Sequence, residues 1–266
     1  MTFQEYLAID ALNWSTLKAM EDSPLAMVHR RDTPSPDTPA RVLGRATHTA
    51  VLEPDRFETE VITYDGTRRG KAWEAFRDAN EARTILNPRE HDACHAMSEA
   101  VRSDAAAWRY LVHGEPELSL QWTDPETGIA CKGRIDWLTV IGGEIILTDL
   151  KSARDITERG IGKACAQYGY HGQLAFYVDG LAALGVRVDR VVMVAVSNQE
   201  PHDVGVFYVE TTALEVGREW YRSLLARYVE CRQAERWPGR YDEVEQVLDL
   251  PGWAPGMPDY DDEILT

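Results

Sequence analysis

The segment from Cys131 to Lys151 constrains this chain more than any other. It reads Cys-Lys-Gly-Arg-Ile-Asp-Trp-Leu, a short turn containing Gly142 and Gly143, and then Ile-Ile-Leu-Thr-Asp-Leu-Lys. Two runs of strand length around a glycine pair predict an antiparallel hairpin. The second run, Glu144 to Leu150, is apolar almost throughout, yet it ends on Asp149 and Lys151, two residues apart. Period two puts both on one strand face with Ile145 and Leu147, so a carboxylate and an ammonium sit beside apolar material. Asp136 lies near the end of the preceding strand, across the turn. Carboxylates from neighbouring strands can hold a small hard cation, and the lysine can then orient an attacking water or offset charge on a scissile group. The same pattern also describes an ordinary solvated ion pair at a strand end.

Composition narrows the setting. The chain has 266 residues, 44% of them hydrophobic, enough for one large domain or two small ones with a real core. No window approaches the roughly 18 apolar residues of a membrane span, and Met-Thr-Phe-Gln-Glu-Tyr lacks the basic and apolar regions of a signal peptide. A cytoplasmic protein with no membrane partner is expected. Cys94, Cys131, Cys165 and Cys231 stand far apart without a Cys-X-X-Cys pair, which argues against zinc, and an intracellular setting argues against disulfides. The formal net charge of -16 counts against a phosphate-binding surface. Half of that excess, however, lies in residues 241–266, which hold eight acids and no Lys or Arg. A basic groove can coexist with an acidic exterior.

Taken in order, residues 4 to 30 read as one or two short helices, with Asn13 or Ser15 as a cap and Ser23-Pro24 starting another. Asp32 to Pro39, with three prolines, reads as a linker. Arg41 to Leu52 is helical, with Gly44 and His48 on one face, and Glu53-Pro54 ends it. Residues 70 to 86 and 88 to 112 read as two further helices. Glu117 to Trp122, Ile129 to Val140 and Glu144 to Lys151 form a three-stranded meander, the first turn being Asp124-Pro-Glu-Thr-Gly128. Gly160 to Gly185 is mainly helical, with Gln173 and Tyr177 sharing a face. Val188 to Ser197 is a buried strand, Val204 to Glu210 pairs with it as an edge strand, and Thr212 to Arg236 is a long amphipathic helix. This order gives an α/β or α+β fold with a mixed central sheet of about five strands flanked by helices. It divides into a single domain over 1–240, with a helical segment and linker in 1–40 and a core in 41–240, and an acidic tail over 241–266.

Five pieces then line up: Gly44-X-X-X-His48, Glu117 at the start of the first strand of the meander, Gly133-X-X-Asp136, Asp149-X-Lys151 and Gln173-X-X-X-Tyr177. Together they resemble the PD-(D/E)XK nuclease superfamily. More narrowly, the chain is similar to the branch containing the RecB nuclease domain and phage or prophage 5'-3' exonucleases of the RecE (exodeoxyribonuclease VIII) type. Local wording agrees, as in Lys132-Gly-Arg-Ile-Asp136, Asp149-Leu-Lys-Ser-Ala153 and Tyr170-His-Gly-Gln-Leu-Ala-Phe-Tyr177, and the likeness spans residues 5 to 235.

The resemblance implies a metal-dependent DNA exonuclease that hydrolyses phosphodiester bonds at duplex ends. Asp136 and Asp149 match the family's metal-binding acids, Lys151 its catalytic lysine, and Glu117 an additional acid of the site. Glu115, two residues earlier, competes for that last role. His48 matches a histidine that contacts a metal or orders the site. Gln173 and Tyr177 match a helix motif that holds the active site and the DNA backbone. Arg45 and Arg134, with Arg41, Lys132 and Arg154, are candidates for a phosphate track, against the plainer reading of a solvated charged face. The implied cofactor is Mg2+, with Mn2+ able to substitute; zinc is not expected, and the cysteine spacing rejects an iron-sulfur cluster. The implied partners are double-stranded DNA ends, a single-strand annealing protein in phage recombination, and further copies of the chain as a trimer or tetramer. Two other readings share the site: a DNA-binding module that has kept the fold, and an endonuclease or repair nuclease.

Overall fold

The computed structural model describes residues 1, 3–33, 37–242, 244–251 and 254–255. Five helices come first: α1 (Phe3–Ala8), α2 (Trp14–Lys18), α3 (Pro24–Asp32), α4 (Pro39–Leu52) and α5 (Pro54–Glu60). Their starts are written in the sequence. Of the two caps available to α2, Asn13 takes the role, its side-chain oxygen accepting from the Thr16 N–H at 2.9 Å. Ser23 caps α3 and Thr38 caps α4, each followed by a proline whose missing N–H would have had no helical partner. The Thr38 cap carries α4 two residues beyond the expected start at Arg41. Residues 34–36 of the expected linker lie outside the described residues.

The next stretch corrects the sequence reading. β1 (Val61–Thr63) is followed by α6 (Lys71–Asp78), and the helix expected to reach residue 86 stops there. Residues 84–86 instead form β2 (Thr84–Leu86), paired in parallel with β1 in a small separate sheet. Three residues are too few for periodicity to declare a strand, and the partner is more than 20 residues away. The helix expected over 88–112 breaks into α7 (Pro88–Ser103) and α8 (Ala105–Trp108), because the Asp104 carboxylate turns back to accept from the Ala107 N–H at 2.8 Å. A capping carboxylate ends one helix and starts another.

The central sheet has β3 (Glu115–Thr123), β4 (Ala130–Ile141), β5 (Glu144–Ala153), β6 (Arg190–Ser197) and β7 (Val204–Tyr208), in that spatial order. Only β5 and β6 run parallel. Their crossover is α9 (Glu158–Tyr168) and α10 (Tyr170–Ala183), a single expected helix broken at Gly169, whose φ is 74°. A Cβ there would lie 2.7 Å from the Trp220 ring. The closing helix α11 (Thr211–Gln233) packs along α10.

Alternate residues of β5 and β6 enter different cores, as period two requires. Leu147, Val191, Met193 and Ala195 pack with Leu174, Phe176 and Leu225 of α10 and α11. Ile146, Leu150, Val192, Val194 and Val196 pack with Val51, Met97 and Val101 of α4 and α7. The result is a five-stranded mixed sheet with helices on both faces, which holds the strand ends between α4 and α10. Among the described residues no helix is long and apolar enough to cross a membrane. Of the acidic tail, residues 243, 252–253 and 256–266 lie outside the described residues.

Candidate active site

The site begins where two strands part. β4 and β5 pair from Ile141 opposite Glu144 up to Trp137 opposite Thr148, and no further. Beyond that point β4 continues beside β3, and β5 continues beside β6. Asp136 therefore lies in the middle of β4, not near its end as the sequence indicated. What ends there is the ladder to β5. The Asp136 Oδ2 accepts from the Leu150 N–H at 2.7 Å, so a side chain takes over a donor that the ladder no longer satisfies. The opening holds Asp136 on one arm and Asp149 on the other.

Three ligand atoms converge at this opening. His48 on α4, Glu117 on β3 and Asp136 each offer one, all within 4.8 Å of one another. The His48 Nδ1 lies 3.6 Å from the Asp136 Oδ2. Glu117 falls between the pairs Pro116–Trp137 and Leu118–Ile135, which sets it across from Asp136. It has φ of 50°, in the left-handed region that non-glycine residues rarely enter. Arg134 secures its side chain, donating from Nε to the Glu117 Oε2 at 2.5 Å and from a terminal nitrogen to the Ser119 hydroxyl at 3.2 Å. Glu115, the competing acid, pairs opposite Leu138 and is exposed.

Asp149, the other acid matched to the metal site, stands beside Lys151. Its Oδ2 lies 2.7 Å from the Lys151 Nζ, and the side chains are 5% and 15% exposed, so the pair is largely withdrawn from water. The Lys151 ammonium also sits 4.9 Å from the centre of the Tyr170 ring. Tyr170 escaped the sequence reading as a site residue, although it lies three positions before Gln173 on the same helix. Gln173 donates to the Tyr177 hydroxyl at 3.1 Å. A Cβ on Gly133 would stand 2.8 Å from the Tyr177 ring, so the bare backbone of Gly133 is what lets α10 close on β4.

Two predicted cations are engaged elsewhere. Arg45 makes a bidentate pair with Asp37 at 2.8 and 2.6 Å on the surface. Lys132 does not line a phosphate track: it is buried, and its Nζ donates to the Tyr6, Leu7 and Ile9 carbonyls at 3.0, 3.1 and 2.8 Å. Those carbonyls lie at the end of α1 and just beyond it, where the helical ladder stops; Tyr6 and Ile9 also accept from the Ile9 and Ala11 N–H groups at 3.4 and 3.0 Å.

Burial acts on every ionisable group here, and the neighbours decide the outcome. Burial would raise the Asp136 carboxyl, but His48, Lys151 and the Leu150 N–H hold it down at about 2. Burial pulls His48 and Lys151 down, and the carboxylates more than reverse this, so both are raised. Glu117 and Asp149 are raised, first by burial and then by the charge on Asp136, against the opposing Arg134 and Lys151. Three carboxylates thus face two permanent cations, Arg134 and Lys151. The donor set of two carboxylate oxygens and one imidazole nitrogen, with negative charge in excess, fits a divalent cation.

Comparisons with known proteins bear on the family and the fold. A family model described as a PDDEXK-like domain of unknown function (DUF3799) matches residues 13–248. A crystal structure from Eubacterium rectale, described as "Putative exonuclease", superposes with a TM-score of 0.67 at 13% identity, covering 94% of this chain and 95% of that one. A phage related exonuclease from Haemophilus somnus 129PT gives a TM-score of 0.38 at 12% identity, over 87% of this chain and 99% of that one. No curated protein matches the sequence. The mixed sheet, the parted hairpin with Asp149-X-Lys151, and a family match over nearly the whole chain place this protein in the PDDEXK-like family of the PD-(D/E)XK nuclease superfamily.

Proposed function

We propose that this chain is a Mg2+-dependent DNA exonuclease that hydrolyses phosphodiester bonds at duplex ends. The observation that carries the nuclease reading is the juxtaposition of His48, Glu117 and Asp136 with the buried Asp149–Lys151 pair at the opening between β4 and β5. Hydrolysis adds water to phosphorus and breaks the bond to the leaving nucleoside oxygen. A proton leaves the water, and one reaches the leaving oxygen. His48, Glu117 and Asp136 would hold a divalent cation, which would supply Lewis acidity when bound. Asp149 fixes the Lys151 ammonium, which presents its N–H donors where phosphoryl charge rises in the transition state. Arg134 keeps Glu117 aimed at the site, and the Gln173–Tyr177 bond holds α10 against it.

The exonuclease mode, the 5'-3' direction and a role in phage recombination beside a single-strand annealing protein rest on the motif resemblance, and they belong to the same proposal. So does assembly into a trimer or tetramer.

Linear and covalently closed circular duplexes, each incubated with Mg2+ or with EDTA, test the reading. Loss of the linear DNA alone, and only with Mg2+, is expected. Cutting of the circle would make the chain an endonuclease, and binding without cutting would make it a DNA-binding module. Calorimetric titration with Mn2+ checks the ligand set independently of cleavage: Asp136→Ala should abolish binding, and His48→Ala should weaken it.

A further inference from the structure

Beside Lys151 the surface falls into a groove of about 370 Å³ that the reading above does not use. Lys151, Arg154, Lys163, Tyr168, Tyr170 and Asn198 line it. Tyr168 is 54% exposed, and its hydroxyl has no hydrogen-bond partner among the described residues. Its ring lies 5.7 Å from that of Tyr170, tilted by 35°, and the Tyr170 ring lies in turn against the Lys151 ammonium. The two tyrosines flank Gly169, the left-handed break between α9 and α10. That turn is closely packed: a Cβ on Gly169 would meet Trp220, which packs edge-on against the buried Trp14 and stacks on His171. An exposed aromatic side chain thus stands beside a packed turn.

Two further cations in the groove stand without an ion pair. Neither Arg154 nor Lys163 has a carboxylate within ion-pair distance among the described residues. Asp155 also lines the groove and feels the charge of Lys163, but its carboxylate is turned to the Thr157 N–H and hydroxyl, at 3.0 and 2.7 Å. Free cations beside an exposed ring are the features that hold single-stranded nucleic acid, in which the base stacks and the backbone phosphate is neutralised. The volume lies at the lower end of the range for small-ligand sites, about 300–1,000 Å³. One nucleotide fits such a space.

Resting on the nuclease reading, we propose that this groove is a subsite for one unpaired nucleotide next to the scissile bond, with its base on Tyr168 and its phosphate between Arg154 and Lys163. The chain then selects DNA ends whose terminal nucleotide is out of the duplex.

The test measures affinity with Ca2+ in place of Mg2+, by fluorescence anisotropy. It compares a blunt duplex with duplexes carrying three-nucleotide overhangs of either polarity. Wild type is expected to bind one overhang more tightly than the blunt end. Tyr168→Ala should weaken overhang binding about 5- to 150-fold, the range for losing one stacked base, and leave blunt-end binding alone. Tyr168→Phe should match wild type. Arg154→Gln combined with Lys163→Gln should reduce the salt dependence of overhang binding by about one unit of slope. Overhang binding by Tyr168→Ala at wild-type strength would overturn the subsite, as would an equal loss in Tyr168→Phe. Equal binding of blunt and overhang DNA by wild type would overturn the subsite and leave the nuclease reading standing. No binding of any DNA by wild type would take both down.

Discussion

Lys132 and Lys151 stand on adjacent strands, both withdrawn from water, and do opposite things. Lys132 on β4 reaches the N-terminal helices and spends its donors on three neutral carbonyls at the end of α1. Lys151 on β5 reaches the opening between the strands and faces the carboxylates of Asp149 and Asp136. Burial pushes the Lys132 pKa down, with only Asp10 pulling the other way. At Lys151 the carboxylates overcome the same desolvation and raise it. Burial alone therefore does not mark a functional lysine. A buried lysine among carbonyls closes a helix end, and one among carboxylates sits in a charged site whose anions outnumber its cations.

Substituting the two lysines separates them most sharply. Lys151→Ala should lower single-turnover cleavage by about 100- to 1,000-fold, the scale of losing one preorganised electrostatic group, with DNA affinity nearly unchanged. A variant that cuts at the wild-type rate once saturated, but binds weakly, would give this lysine a phosphate-contact role instead. Lys132→Met should do the reverse. Three hydrogen bonds from a withdrawn ammonium are lost, the Tyr6 and Ile9 carbonyls keeping only their backbone donors, which costs about 3 kcal/mol in denaturant unfolding, while cleavage per folded molecule is retained.

A smaller loss is expected where the two regions meet. Gly133, next to Lys132, is also the close approach of Tyr177, so Gly133→Ala should cost about 2 kcal/mol through overpacking, with a lower thermal midpoint as the readout. Unchanged stability would mean that α10 shifts freely, and that the fit at Gly133 does not hold the site.

The smallest effect sharpens the contrast between carboxylates and carbonyls. Folded Glu117 keeps its proton to higher pH than its unfolded value of 4.5. Its contribution is therefore fully present below pH 4.5 and is lost as pH rises through the folded pKa. Asp136 has the opposite sign, stabilising above its unfolded value of 3.8 and losing that as pH falls through about 2. In chelator-treated protein, Glu117→Gln should flatten the decline in stability above pH 4.5. The flattening should be partial, because Asp149 is raised too and remains in place. An unaltered stability profile across that window would contradict the charge crowding at Glu117.

The sequence by itself determined what depends on neighbours along the chain. Asn13 and Ser23 cap helices because a short polar side chain reaches the N–H three residues on. The turn after β3 forms because Asp124 accepts from the Thr127 N–H and Gly128 takes a positive φ. Asp149 and Lys151 share a face because strands alternate. The ordered motifs brought His48, Glu117 and Asp136 to attention before any geometry was known.

Tertiary structure decided the rest, since the causes lie far apart in sequence. β2 is a strand because β1 is there to pair with it. Asp136 reaches the opening from mid-strand because β4 and β5 part at that point, and its carboxylate catches the freed Leu150 N–H. Glu117 prevails over Glu115 because the register sets it across from Asp136 and Arg134 holds it there. Lys132, one residue before Gly133 in a motif that points to chemistry, shares a strand face with Arg134 and Asp136, but it lies further along β4, where its Nζ meets the carbonyls at the end of α1 instead of the carboxylates. Side-chain type and local spacing set which chemistry a residue can offer. The packing of distant elements sets which partner it meets, and hence the charge it carries and the work it does.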